Sequence, residues 1–226
     1  MIFAVSEDCR QLGLRAGAVR FRGVRVGPAS AELRAEIARE VEALRARFPG
    51  PQEVRALPEV AAFHELLRRV GVNPRREQPS VERLLSFALR RGDLPAINSL
   101  VDAYNLASVR TLCSLGAHDL DRIALPVSLR LLTGAEAFTP LGRAEPEPVT
   151  PGEFGYVDGQ DRVLCRLDLL QADFSKVTAD TVNALLIVEG TAEHSAEALR
   201  CGFAEAVELV TRHCGGRAEV VARPTG

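Results

Sequence analysis

The spacing of apolar residues changes partway along the chain, and that change constrains the fold more than any other feature. From Ser30 to about Leu112 apolar residues recur at helical intervals; from Pro126 onward they alternate or run in short blocks, as strands do. Helices first and strands later predict an α+β fold and argue against alternating βαβ units.

Short strands open the chain at "IFAV" and "VRFRGVRV", and Gly27-Pro28 breaks them. Ser30 caps a helix to about Phe48, with Leu33, Ile37, Val41 and Leu44 on one face. "LPEVAAFHELLRRVGV" is a second helix ending near Gly71, and "NPRREQP" is a turn-rich connector. Ser80 caps a third helix, "SVERLLSFALRRG", which Gly92 stops. "PVSLRLLTG", "EFGYVD" and "DRVLCRL" read as strands, with a hairpin turn at Asp158-Gly159. "NALLIVEG" reads as a buried strand, Ser195 starts a last helix closed by Gly215-Gly216, and "AEVVA" adds a final strand. The expectation is one domain over residues 1–226. It divides into N-terminal strands and two helices at 1–78, a motif-bearing core at 79–190, and a C-terminal helix and strand at 191–226.

Composition sets limits on partners. No apolar run approaches the ~20 residues of a membrane span, and "MIFAVSEDCRQ" has no secretory pattern. Five cysteines with no CxxC pair predict reduced thiols and a cytoplasmic location. The net charge of −2 excludes a polybasic surface, so no DNA partner is expected and any RNA contact needs a local basic patch. The absence of Trp, with only two Tyr, argues against a broad base-stacking platform. His64 and His194 are expected at the surface. The sequence names no protein partner and no cofactor.

One segment breaks the pattern. "NSLVDAYNLASVRTLCSLGAHDLD" puts Asn98, Asp102 and Asn105 where a core-facing helix should be apolar. At about 100° per residue, Asp102 lies about 40° from Asn98 and Asn105 about 20° from it on the other side, inside the arc of Val101, Leu106 and Val109. Ser99, Ala103, Ala107 and Arg110 fall on the opposite side. Left unpaired, each buried polar group would cost about 1–3 kcal/mol, so each needs a partner or a wet pocket. Asn98 and Asp102 suit a structural network holding a neighbouring loop; Asn105 suits either that or a pocket. Gly116 is expected as a left-handed stop after the helix, delivering Ala117, His118 and Asp119 on a rigid corner. His118 then either positions a water or a carbonyl, or sits in a salt bridge with Asp119 or Asp121. His118, Asp119 and Asp121 lack a fourth ligand at suitable spacing, so no metal site is expected.

These residues also carry a resemblance. "PSVERLL", "LPAINSLVDAYNLASVRTL" and "LGAHDLDRI" resemble the B3/B4 domain of the bacterial phenylalanyl-tRNA synthetase β subunit, and still more the free-standing B3/4-domain proteins. "PGEFGYVDGQDRVLCR" and "SKVTADTVNALLIVEG" continue the pattern, which is detailed from about Ser80 to Gly190. The resemblance implies a three-layer fold with a β-sandwich-like core flanked by helices. It implies hydrolysis of the ester of misacylated tRNA, acting in trans, with tRNA's aminoacylated 3′ end as the partner and no cofactor. By motif, Asn105 matches the helix asparagine of that editing pocket, His118 the histidine after the turn, and Glu189 the glutamate that reads the wrong amino acid's hydroxyl. The chain departs from the family at Tyr104, where the synthetase has Thr, and in the spacing from Asn105 to His118, which is longer here. "CRLDLLQADFSK" replaces a glycine-rich loop. These departures reshape the side-chain pocket, so tyrosine specificity is not implied.

The resulting expectation pairs His118 and Asn105 as the catalytic residues holding a water, with backbone amides near Gly116 stabilising the oxyanion. Tyr104, Gly116, Arg166 and Glu189 would bind substrate. For Arg166 the alternative is a strand salt bridge. Two other functional classes stay open: a non-catalytic module that binds tRNA or an amino acid in the same pocket, and a protein-interaction domain.

Overall fold

The computed structural model describes residues 2–224. In chain order its elements are β1 (Phe3–Val5), α1 (Glu7–Gln11), β2 (Leu14–Arg22), α2 (Ala31–Arg47), α3 (Pro51–Arg55), α4 (Pro58–Arg69), α5 (Ser80–Arg91) and α6 (Ser99–Thr111). They continue with β3 (Ser114–Asp119), β4 (Val127–Leu131), β5 (Phe154–Val157), β6 (Val163–Arg166), β7 (Leu170–Gln171), β8 (Asn183–Thr191), α7 (Ala196–Cys214) and β9 (Arg217–Ala222). This is an α+β fold built on two sheets. One is antiparallel in the order β3-β8-β2-β9; the other runs β1-β4-β5-β6-β7, with β1 parallel to β4 and the remaining pairs antiparallel.

Alternation along β8 explains the layers. Val188 faces α7, and Gly202 of that helix lies so close that an added Cβ would meet Cys113 Sγ at 2.8 Å and Val188 at 3.5 Å. Gly17 pairs with Val188 in register, and there the ring of Phe203 fills the space a Cβ would need, at 2.5 Å. Glu189, one residue on, points to the opposite face, where Tyr156 of the second sheet meets it. Helices therefore cover one face of the four-stranded sheet and the second sheet covers the other. A strand buried on both sides has no polar face, which is why "ALLIV" reads as one apolar run.

Helix α6 is enclosed on nearly every side by α2, α5, α7 and β3. Ser99, Ala103 and Ala107, expected on an outer side, are buried. Their small side chains let neighbouring helices close in, so the polar residues of α6 are not a stripe within a single apolar face. Asn98 stands just before the helix as its N-cap, with Oδ1 accepting from Val101 N at 3.0 Å.

The sequence expectation needs further correction at the local level. Gly116 is not a helix stop: Leu112 takes the left-handed position at φ 60°, and the chain enters β3 directly. The supposed corner Gly116–Asp119 is thus an edge strand. Pro79, not Ser80, caps α5. Strand β2 begins at Leu14 and ends at Arg22, before the glycine in "VRFRGVRV". Among the described residues, no helix is long and apolar enough to cross a membrane.

Candidate active site

The edge strand β3 pairs with β8 so that Ser114 opposes Glu189, Gly116 opposes Ile187 and His118 opposes Leu185. Paired residues share a face. Ser114, Gly116, His118, Ile187 and Glu189 accordingly form one wall of a cavity of about 140 Å³ between the sheets. Tyr104 and Asn105 reach it from α6, Tyr156 and Cys165 from the second sheet, and Asp168 and Gln171 from the segment after β6. At about 30 Å³ per water, the space holds roughly four or five molecules.

The start of β3 is fixed by two contacts. Ser108 donates to the carbonyl of Cys113 at 2.7 Å. His194 accepts from Thr191 N on Nδ1 at 3.0 Å, so its proton lies on Nε2, which donates to Leu112 O at 3.1 Å. His194 is therefore a buried tie rather than a surface residue, and burial holds its pKa below the usual histidine value. His64 is likewise not free at the surface: its Nε2 lies 2.5 Å from Oε2 of Glu82.

His118 is 2 % exposed, and burial lowers its pKa to about 4, so the ring is neutral at pH 7. Its Nδ1 is 3.0 Å from Oγ of Ser175. With that nitrogen engaged, Nε2 is the atom left for the cavity. Gly116 contributes space: a Cβ there would meet nothing within 4 Å. Its backbone is committed elsewhere. Ala117 O accepts from Gln171 Nε2 and Asp119 N donates to Ser175 O, so those residues face the open edge while Gly116 turns its amide and carbonyl to Ile187. An oxyanion role for the Gly116 amide is not available in this arrangement.

Glu189 is 1 % exposed. Oε2 accepts the Tyr156 hydroxyl, and Oε1 has no partner. Asp168 follows Leu167, and both sit in the left-handed region, at φ 58° and 57°. Such backbone costs on the order of 1–2 kcal/mol per non-glycine residue, and here it turns Asp168 back under the sheets. Oδ2 of Asp168 is buried without a partner. Burial raises the Asp168 pKa to about 7, and burial together with the charge of Asp168 pushes Glu189 well above the carboxylate range. The same surroundings keep Cys165 a thiol and Tyr156 a phenol. Among the described residues, no lysine or arginine lines the cavity.

Other residues singled out from the sequence lie elsewhere. Arg166 makes the strand salt bridge, with Nη2 donating to Glu153 Oε1 at 3.0 Å, and it does not line the cavity. Asp102 accepts from Ile97 N at 2.9 Å and Asn98 donates to Val177 O at 3.4 Å; both hold loops. Asp119 accepts from Thr181 Oγ1 at 2.7 Å and from Asp121 N at 3.0 Å, which closes the end of β3. The structure thus brings together Asn105, His118, Tyr104, Gly116 and Glu189. It adds Ser114, Tyr156, Cys165, Asp168 and Gln171, which sequence reasoning missed. For Asp168 the available signal was an acidic residue inside the apolar block "CRLDLL". Among the described residues, no three His, Cys, Asp or Glu side chains converge in a way that could hold a metal ion.

A second cavity of about 210 Å³ adjoins the first and shares Ser80, Asn105 and Leu115 with it. Arg83 and Phe87 of α5 also line it.

The family model of the B3/4 domain matches residues 62–215. No curated protein matches the chain. A solved structure, an N-terminal fragment of the phenylalanyl-tRNA synthetase β subunit from Pyrococcus horikoshii, matches at 14 % identity with a TM-score of 0.49. That match covers 96 % of this chain and 49 % of the fragment, so the chain spans about half the fragment's length. With more than half its residues matched by the family model, the chain belongs to the B3/4 domain family.

Proposed function

We propose that this chain hydrolyses the ester joining a wrong amino acid to the 3′ end of tRNA, in the cytoplasm. The observation that carries the reading is that His118 and Asn105 line one buried polar cavity with room for a few waters. An aminoacyl ester is activated, so positioning a water goes a long way toward its hydrolysis. In the tautomer with the proton on Nδ1 given to Ser175, Nε2 of His118 accepts a hydrogen bond from that water. A pKa near 4 makes His118 a positioning acceptor rather than a strong base. Asn105 lies where the two cavities meet, and its amide can orient the carbonyl or the water. The adjoining cleft suits the terminal nucleoside: Phe87 offers a ring for stacking and Arg83 a guanidinium for phosphate.

A panel of misacylated tRNAs, followed for ester loss with catalytic amounts of protein, tests this. Accelerated loss from at least one member is expected. Tight binding of the panel without any acceleration would leave a non-catalytic binding module instead.

A further inference from the structure

Three of the seven buried side-chain polar atoms that lack a partner at hydrogen-bond distance among the described residues belong to residues lining the same cavity: Ser114 Oγ, Asp168 Oδ2 and Glu189 Oε1. The Ser114 hydroxyl is still near enough to Asp168 to oppose the effect of burial on its pKa, so these two residues form one edge of the site. Two are carboxyl oxygens and the third can accept. Buried carboxylates are ordinarily paired with a cation, because desolvating an unpaired charge costs several kcal/mol. This cavity has two carboxyls and, among the described residues, no lysine or arginine in its lining. Such carboxyls either hold a proton, as the raised pKa of Glu189 shows here, or take a cation, and the count of acceptors says which cation would suit them. A primary ammonium carries three N–H donors, a hydroxyl one, and a guanidinium five in a rigid plane.

The position of these acceptors says which part of a substrate they would meet. Ser114 and Glu189 face each other across β3 and β8, whereas His118 is four residues further along β3, a Cα separation of about 13 Å at strand rise. An α-amino group stays beside the ester carbonyl. With the ester at His118, the carboxyl end lies at the depth of a side chain. We propose that Asp168, Glu189 and Ser114 form a receptor for a side-chain ammonium, so that the amino acid removed is a long, unbranched, lysine-like one. This assignment rests on the deacylase reading for where the ester sits; the cation site itself does not. It also accounts for Tyr156, which occupies one oxygen of Glu189 and leaves Oε1 uncommitted among the described residues. The elevated pKa of Asp168 fits a site that holds a proton until a cation replaces it.

The test is calorimetric titration of the full chain with lysinamide, norleucinamide and tyrosinamide at millimolar concentration. All three carry an α-ammonium, so only the side chain differs. Lysinamide should bind at least about tenfold more tightly than norleucinamide, the value of one charge-assisted hydrogen bond. Asp168→Asn and Glu189→Gln should each erase that preference while circular dichroism shows both variants folded. Equal affinities, tighter tyrosinamide, or no lysinamide binding would overturn the proposal. So would an Asp168→Asn protein that hydrolyses every ester more slowly with its selectivity unchanged, since Asp168 would then be a general base. Lysyl-tRNA hydrolysis is followed separately. A lysinamide preference without lysyl ester loss keeps the cation site and removes the deacylase reading; loss of other esters without the preference does the reverse.

Discussion

Tyr156 of the five-stranded sheet donates its hydroxyl hydrogen to Oε2 of Glu189 in the four-stranded sheet, joining the two layers at the wall of the cavity. Both residues are almost fully buried, and among the described residues Glu189 has no other side-chain hydrogen bond. Tyr156→Phe keeps the ring and removes the donor to Oε2. Leaving a buried acceptor unsatisfied costs about 1–3 kcal/mol, so urea denaturation at pH 7 should show a loss in that range. A change within about 0.5 kcal/mol, the usual size for an uninvolved surface site, would mean the contact contributes nothing.

Asp168 makes stability depend on pH in a stated direction. Its pKa is raised from 3.8 to about 7 in the folded chain by burial. The folded state then binds more protons than the unfolded one between those values, so its favourable contribution is full below pH 4 and is lost as pH rises through 7. Asp168→Asn removes the charge. It should match the wild type near pH 4 and be more stable at pH 8, by on the order of a few kcal/mol at ~1.4 kcal/mol per unit. His118 shifts the opposite way, to about 4, and loses its contribution as pH falls from 6.5 toward 4. That contribution is common to both proteins and cancels in the difference. Thermal melts across pH 4–8 read it directly, and a constant offset would contradict the assignment.

Gly116 separates space from stability. It lies in β3, its φ is not positive, and a Cβ would enter the empty cavity. Gly116→Val suits a strand and fills the space where the ester would sit. The variant should melt no lower than the wild type yet lose about 10²-fold in hydrolysis, the scale of a misplaced substrate. Undiminished hydrolysis would move the reaction out of this cavity.

Arg166 should behave in the opposite manner. Its guanidinium pairs with Glu153, whose side chain is 5 % exposed. Arg166→Ala leaves that carboxylate buried and unpaired, at a cost on the order of 3 kcal/mol in denaturation. Hydrolysis per folded molecule should be unchanged. A selective rise in KM with stability intact would return Arg166 to the substrate-binding set.

The sequence exposed the long amphipathic elements and hid the short and enclosed ones, for physical reasons. Helix α2 was legible because Ser30 caps it and Leu33, Ile37, Val41 and Leu44 face one way. The hairpin of β5 and β6 was legible from Asp158-Gly159. Strand β3 was missed because its six residues, "SLGAHD", include a glycine, a histidine and an aspartate that serve the cavity and the strand end instead of an apolar face. Helix α6 misled in a different way: enclosed on nearly all sides, it turns little more than Arg110 to solvent, so there is no broad solvent face against which polar residues stand out. Asn105 and His118 were legible from the polar helix and the segment after it, Glu189 only through the family resemblance, and all three line one cavity. Asp168 was not, because its placement depends on two successive left-handed residues that no periodicity signals.

Single-turnover hydrolysis of the best substrate from the misacylated panel, by the wild type, His118→Ala and Asn105→Ala, tests the central claim most directly. Each variant should lose on the order of 10² or more in the rate of ester cleavage while still binding the aminoacyl-tRNA. Rates within about threefold of the wild type, well under the loss expected for a positioning group, would contradict the claim that this cavity is where the ester is cleaved.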